Sequence, residues 1–149
     1  MWKKIILPVL TGLFVTGCAF FTPSQLNVNP ARYSGITVVV RGFVKLTPEV
    51  HVLYESRAID GEVQRGWESG KGGFDVRKYE KYCVTIANPE LLYKNRAAVD
   101  AKTLIFQGKF IDDYQSGKTV DLGECPLPTA IMIDYAALAR RYPSLLPQR

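Results

Sequence analysis

The residues of this chain that could carry chemistry are three cysteines, one histidine and scattered carboxylates. The cysteines are Cys18, Cys83 and Cys125, and the histidine is His51. Because a zinc site usually takes three or four side-chain ligands, one histidine beside scattered carboxylates does not predict a metal centre. The sequence contains no nucleophile elbow, paired-histidine metal motif, dinucleotide-binding glycine motif or calcium loop. It therefore predicts no catalytic residues, no metal site and no cofactor.

The first 17 residues combine the features of a secretion signal. Lys3 and Lys4 precede an apolar stretch that runs from residue 5 to residue 15. As a helix this stretch would cover about 16 Å, which is half of the ~30 Å hydrocarbon core of a bilayer. We therefore predict a signal peptide over residues 1–17 rather than a permanent transmembrane helix.

The signal ends in a tetrapeptide that resembles the lipobox of bacterial lipoproteins, Val15-Thr16-Gly17-Cys18. In that family a diacylglycerol is attached to the cysteine thiol, the signal is removed just before it, and the new amino terminus is acylated. The resemblance implies a lipidated Cys18 and stable anchoring by two or three acyl chains. In Gram-negative lipoproteins an aspartate after the cysteine commonly retains the protein in the inner membrane. Here Ala19 follows, which implies the outer membrane and its periplasmic side. The alternatives are an ordinary signal peptide with an incidental cysteine and a buried amino-terminal helix.

The composition predicts one folded domain of ordinary size. The chain has 149 residues, of which 47% are hydrophobic and 22% are charged, so it is neither a disordered polymer nor an integral membrane protein throughout. Its formal net charge of +5 falls to +3 when the leader with Lys3 and Lys4 is removed. A charge this small, outside the cytoplasm, is not typical of a nucleic-acid-binding protein.

Cys83 and Cys125 remain in the chain after the leader is removed. An extracytoplasmic compartment permits disulfides, and two leftover cysteines favour one. Closing the loop between them would stabilise the fold by roughly 4 kcal/mol through chain entropy. We therefore predict a Cys83–Cys125 disulfide, with two free thiols or a reactive thiol as the alternatives.

The stretch from residue 19 to residue 34 has no clear apolar period. It contains two prolines, two asparagines and three serine or threonine residues. Such a composition is typical of a flexible coil. We therefore predict a lipidated cysteine and tether over residues 18–34, followed by a single β-rich domain over residues 35–149.

Alternation of apolar and polar residues predicts several strands within the domain. The predicted strands are 36–44, 49–56, 81–87, 103–111 and 119–122, and the predicted helices are 88–99, capped by Asn88, and 135–142, capped by Asp134. Three strands, a helix and two further strands resemble the order of an OB-fold. The predicted class is thus β-rich α+β, a small OB-fold-like five-stranded barrel with one or two short helices. An open antiparallel sheet and a β-sandwich are the alternatives.

Residues 57–73 carry five glycines and many charges, which predicts a long mobile loop. Around this loop lie four candidate binding residues, Arg65, Trp67, Lys71 and Phe74. An aromatic ring flanked by cations can stack on a sugar or pack against a protein surface. The alternative is that Trp67 and Phe74 fold back to cover the mouth of the barrel.

These observations predict a lipid-anchored protein of the bacterial cell envelope. We expect a non-catalytic assembly module that binds another envelope protein. The sequence has a lipoprotein-like signal and a small predicted domain, and it contains no recognised catalytic motif. A different class is a binder of oligosaccharide or another cell-wall polymer, as OB-folds often are. An envelope hydrolase with an unrecognised carboxylate site is the third alternative.

Overall fold

Five strands form a closed barrel in the computed structural model, which describes residues 19–70, 73–115 and 125–146. The strands are β1 (Thr37–Thr47), β2 (Val50–Tyr54), β3 (Cys83–Ile86), β4 (Thr103–Ile111) and β5 (Ala130–Ile133). Their order around the barrel is β1-β2-β3-β5-β4, with β4 returning to β1. All neighbours are antiparallel except β3 and β5. The predicted OB-fold-like barrel is therefore confirmed, and the open sheet and the sandwich are excluded.

The barrel closes through β1, which is the longest strand. Its first half, from Thr37 to Phe43, pairs with β4, and its second half, from Phe43 to Thr47, pairs with β2. Side chains alternate between the two faces of a strand, so Val38, Val40 and every second residue after them point inward. One strand therefore joins the two ends of the sheet.

The inside of the barrel is the main apolar core. Phe106 and Phe110 of β4 are its largest fully buried side chains. Around them pack aliphatic residues from every strand, including Val40, Val44, Leu53, Val84, Ile86, Ile131 and Ile133. The two phenylalanines flank Gly108, where β4 comes so close to β5 that a side-chain carbon would overlap the Met132 carbonyl.

The expectation of a flexible tether over residues 18–34 is wrong for the described part of it, which begins at residue 19. Two short helices form there, α1 (Pro23–Asn27) and α2 (Pro30–Tyr33). Phe21 pairs with the free edge of β1: its amide donates to Val39 at 2.7 Å, and its carbonyl accepts from Arg41 at 2.9 Å. Leu26 is fully buried in the core. The apolar residues of this segment are spaced irregularly, which is why they do not show as a strand or helix pattern.

The expected mobile loop over residues 57–73 is also wrong, because most of it forms a third helix, α3 (Arg57–Glu68). The Ser56 hydroxyl caps this helix by accepting from the Ile59 amide at 3.3 Å. The five glycines suggested a loop, yet Gly61 and Gly66 lie inside the helix. Packing of the apolar side of α3 on the barrel offsets their low helix propensity.

The remaining helices follow the predicted order with local differences. The helix expected over 88–99 is split at Asn95 into α4 (Glu90–Lys94) and α5 (Arg96–Val99). Asn88 does not cap α4; its side chain instead exchanges two hydrogen bonds with the backbone of Ile133. The last helix, α6 (Tyr135–Arg141), is capped by Asp134 as predicted, at 3.0 Å from the Ala137 amide. Among the described residues, no helix is long and apolar enough to cross a membrane.

The fifth strand lies later in the chain than predicted. The predicted segment, 119–122, is outside the described residues. The apolar run that forms β5 pairs with β4 on one side and with β3 on the other. Because it is buried on nearly every position, it has no alternating pattern by which a strand is recognised.

We expect Gly108→Ala to lower the free energy of unfolding by about 1–3 kcal/mol, the usual cost of overpacking. The added carbon would overlap the Met132 carbonyl and lie 2.9 Å from the Ile131 side chain. The matched control is Gly61→Ala in α3, where the nearest atom is the flexible Arg65 guanidinium at 3.4 Å. This change should stabilise the protein by about 0.5–1 kcal/mol, because glycine is unfavourable inside a helix. Urea denaturation measures both, and a similar effect at the two positions would contradict the close approach.

Candidate binding surface

The outer face of β2 is covered by a second apolar layer. Val52 and Tyr54 point out of the barrel and are buried beneath Ile59 and Val63 of α3. Phe43, Cys83, Cys125, Phe74 and Tyr79 complete this layer. In OB-folds the outer face of the second and third strands usually binds the ligand. In this chain α3 occupies that position, so a ligand would have to bind elsewhere or displace the helix.

Cys83 and Cys125 are joined in the same layer as a disulfide, in agreement with the sequence prediction. Their Cα atoms are 6.0 Å apart, and both residues are buried. The Cys125 amide also donates to the Thr85 hydroxyl at 3.0 Å, which fixes the chain before β5 against β3. The disulfide therefore holds the outer layer on the barrel and has no exposed thiol with which to react.

A buried carboxylate also lies under α3. Asp60 is 8% exposed, and its Oδ2 is 3.9 Å from the Lys45 ammonium. Its Oδ1 has no hydrogen-bond partner among the described residues. Burial raises the pKa of Asp60, and the positive charge of Lys45 offsets part of that rise. Burial and the nearby Asp60 also raise the pKa of Tyr54 to about 12.

An aromatic cluster lies at the far end of α3. The Trp67 and Phe74 rings meet edge-to-face at a centroid distance of 5.4 Å, and Phe74 stacks on Tyr79 at 5.9 Å. Phe74 also lies directly against Gly66, where any side chain would overlap its ring. Trp67 remains 64% exposed. The cluster is therefore a supported platform that presents one large aromatic side chain to solvent.

The structure describes three of the four residues that the sequence selected for binding. Trp67 and Phe74 come together, and Phe74 packs against the outer layer over β2 while Trp67 stays exposed. Arg65 is exposed and forms an ion pair with Glu62 on the same helix. Lys71 lies outside the described residues.

Tyr79 is the member of the cluster that the sequence reasoning missed. It lies between two short 3₁₀ turns, Val76–Lys78 and Glu80–Tyr82. The Asp75 carboxylate caps the first turn by accepting from the Arg77 amide at 3.1 Å. An aspartate side chain commonly bonds to the backbone two residues further on, so Asp75 was the available signal for this turn.

The remaining chemical candidates do not assemble into a reactive site. His51 is half-buried on β2, opposite Leu46 of β1. Within the described ranges no group of three or more His, Cys, Asp or Glu residues is arranged to hold a metal ion. Among the described aromatic residues Trp67 is the most exposed, so it is the candidate on which a binding role can be argued.

No protein-family model, no curated protein and no solved structure matches this chain. The likeness to an OB-fold therefore depends on the strand order and on the closed barrel. Function has to be argued from the residues of this chain.

We expect Asp60→Asn to change how stability depends on pH. The pKa of Asp60 is raised in the folded protein above its ordinary 3.8, so the folded state binds the proton more tightly than the unfolded state does. Its contribution to stability is thus fully present below about pH 4 and is lost as the pH rises through the folded pKa. Asp60→Asn should remove this loss, so that the variant gains stability relative to the wild type towards neutral pH. Urea denaturation at a series of pH values measures the difference.

The matched control is Asp75→Asn. The Asp75 carboxylate is exposed, and its hydrogen bonds with Arg77 lower its pKa. Its contribution is present above the ordinary pKa and is lost as the pH falls, which is the opposite sign. For each variant, the difference in unfolding free energy from the wild type is plotted against pH. Slopes of the same sign for Asp60→Asn and Asp75→Asn would contradict the assigned burial of Asp60.

Proposed function

We propose that this protein is a lipoprotein of the bacterial cell envelope whose barrel serves as a non-catalytic binding module. The lipid would be attached to Cys18, and the leader and lipobox-like tetrapeptide before it support this part of the proposal. Residue 18 lies outside the described residues, so the sequence alone carries the argument for the anchor. The proposed location is the periplasmic side of the outer membrane, because Ala19 follows the cysteine.

Exposure of Trp67 on its aromatic platform is the single observation that carries the binding role. Tryptophan is enriched among the residues that contribute most to protein–protein binding, and it loses little conformational freedom when it is already supported. Phe74 and Tyr79 provide that support from below. We therefore assign Trp67 as the centre of a surface that binds another envelope protein.

The oligosaccharide alternative retains one supporting observation. An exposed indole ring can also stack on a sugar ring. The layer over β2 and β3, however, fills the face on which OB-folds usually bind oligosaccharides. A protein partner at Trp67 is therefore the better supported proposal, and a soluble cell-wall fragment is the competing ligand in the test.

We expect a photo-crosslinking residue at position 67 to capture one dominant envelope protein in intact cells. Trp67→Ala should then weaken binding of that protein about 30-fold, which corresponds to the ~2 kcal/mol typical of a central interface residue. The matched control is Val28, which is 81% exposed on a different element. The same crosslinker at position 28 should not capture the protein, and Val28→Ala should bind normally.

Two outcomes would contradict the partner proposal. One is equal capture from positions 67 and 28, and the other is normal binding by the Trp67→Ala variant. A change in Trp67 fluorescence on adding soluble cell-wall fragments would instead favour the oligosaccharide alternative. The fluorescence would be specific, because the only other tryptophan, Trp2, belongs to the predicted leader.

The lipid anchor has its own test. We expect Cys18→Ser to leave the precursor without lipid and largely uncleaved, because the serine hydroxyl replaces the thiol that the lipid would modify. Mass spectrometry of the membrane-extracted protein measures both effects. The control is Cys83→Ser, which should be lipidated and cleaved normally. Release of a normally processed chain from the Cys18→Ser variant would contradict the anchor.

A further inference from the structure

The barrel wall that α3 does not cover carries a second distinctive surface. Arg41 of β1 and Lys109 of β4 are exposed on the outside of this wall. Lys109 lies opposite Met132 of β5, which is 47% exposed. No ion pair joins these two cations to a described carboxylate. Positive charge therefore lies beside an exposed apolar side chain on this wall.

Phe20 extends this surface at the edge of β1. The backbone of Phe21 pairs with β1, and the Phe21 ring turns inward against Tyr33. Because neighbouring side chains of extended backbone alternate, Phe20 lies on the outer side. Its ring is 42% exposed and lies 5.9 Å from the Arg41 guanidinium. An aromatic ring beside a cation is a combination typical of the membrane–water interface.

Two further arginines lie beside the outer surface of β4, at the end of α6. Arg140 and Arg141 end α6 and are both exposed. Together with Ala137 and with Gln107 of β4 they line a cavity of about 310 Å³. Gln107 follows Ile105 and precedes Lys109 on the outer side of β4, so this cavity opens on the face that carries Lys109. Paired guanidinium groups bind phosphate oxygens with fixed geometry.

The position of the amino terminus decides what would cover this surface. Phe21 is fixed to β1, and only Ala19 and Phe20 lie between it and Cys18. The three fully extended steps from Cys18 to Phe21 span at most about 10 Å. A lipid on Cys18 would therefore hold the Phe20 edge of the barrel against the bilayer. This step rests on the proposed anchor and does not depend on a partner at Trp67.

We propose that this surface lies flat on a membrane that contains anionic phospholipid. We name it the basic face, and it consists of Phe20, Arg41, Lys109, Met132, Arg140 and Arg141. Phe20 and Met132 enter the interfacial region, and the cavity between Arg140 and Arg141 receives the phosphate of one lipid headgroup. The four cations meet the negative surface potential, which attracts basic residues within a Debye length.

Depth-dependent fluorescence quenching tests the proposal on the full lipidated chain. A fluorophore is attached through Met132→Cys, and Val28→Cys is the matched control on another exposed position. Cys83 and Cys125 form a disulfide, so only the introduced thiol reacts. The protein is placed in phosphatidylcholine vesicles with and without phosphatidylglycerol, and brominated lipids quench a fluorophore that lies at the interface. We expect several-fold stronger quenching at position 132 than at position 28 when phosphatidylglycerol is present.

Charge reversal separates the basic face from the anchor. Arg140→Glu with Arg141→Glu should reduce quenching at position 132 to the level of position 28. Lys109→Glu should also weaken the quenching at position 132. Lys109 is exposed, so this substitution is not expected to cause misfolding. The matched reversal, Lys78→Glu with Lys94→Glu, changes the same amount of charge elsewhere and should have no effect. Raising the salt should also lower the quenching, because the Debye length falls from about 10 Å at 0.1 M to about 3 Å at 1 M.

Three results would overturn the proposal. The first is equal quenching at positions 132 and 28, and the second is full quenching after reversal of Arg140 and Arg141. The third is a mass that shows no lipid on Cys18, which removes the anchor as well. Loss of crosslinking at Trp67 alone would overturn the partner proposal and leave the basic face standing.

Discussion

The first strand is the constraint on which the rest of the structure depends. One run of β-branched residues pairs with β4 along its first half and with β2 along its second half. Its remaining free edge accepts the backbone of Phe21. A shift of one residue along β1 would turn its inward valines to solvent. It would also disrupt the pairing of β1 with β4, with β2 and with Phe21. Closure of the barrel, the position of Phe21 and the exposure of Arg41 therefore have one common cause.

The same strand divides the outer surface into two regions of different character. Its second half places Phe43 and Lys45 under α3, where an apolar layer, a disulfide and a buried carboxylate cover the barrel. Its first half leaves Arg41 exposed, next to β4. A chain of this size can thus present a supported aromatic side chain on one wall and a basic surface on another. The two surfaces do not compete for the same residues.

The sequence was sufficient for the barrel because strand patterning is local. Residues of β4 and of the first half of β1 alternate between a buried and a more exposed face, and that period is visible without a structure. It was insufficient for α3, where Gly61 and Gly66 indicated a loop by composition. Gly66 is needed for a reason that no local pattern contains, since the Phe74 ring lies against it. The same holds for Leu26, whose burial comes from tertiary packing.

The candidate binding surface was only half predictable for a similar reason. Trp67 is noticeable among glycines and charges, but its support by Phe74 and Tyr79 depends on how the segment after α3 packs back on the helix. The basic face could not be found from the sequence. Arg41, Lys109 and Arg140 are far apart in the chain, and their relation depends on the pairing of β1 with β4 and on the cavity that Arg140 shares with Gln107 of β4.

The folded amino-terminal segment has a consequence for the reach of the protein. A flexible coil of sixteen residues would have an end-to-end distance of roughly 20–24 Å, and its binding site would sample a broad shell above the bilayer. Here α1, α2 and the pairing of Phe21 with β1 fix most of this segment on the barrel. For a chain anchored at Cys18, Trp67 would be held at a nearly constant height and orientation. Such confinement raises the effective concentration towards a partner in the same membrane and excludes one that lies farther away.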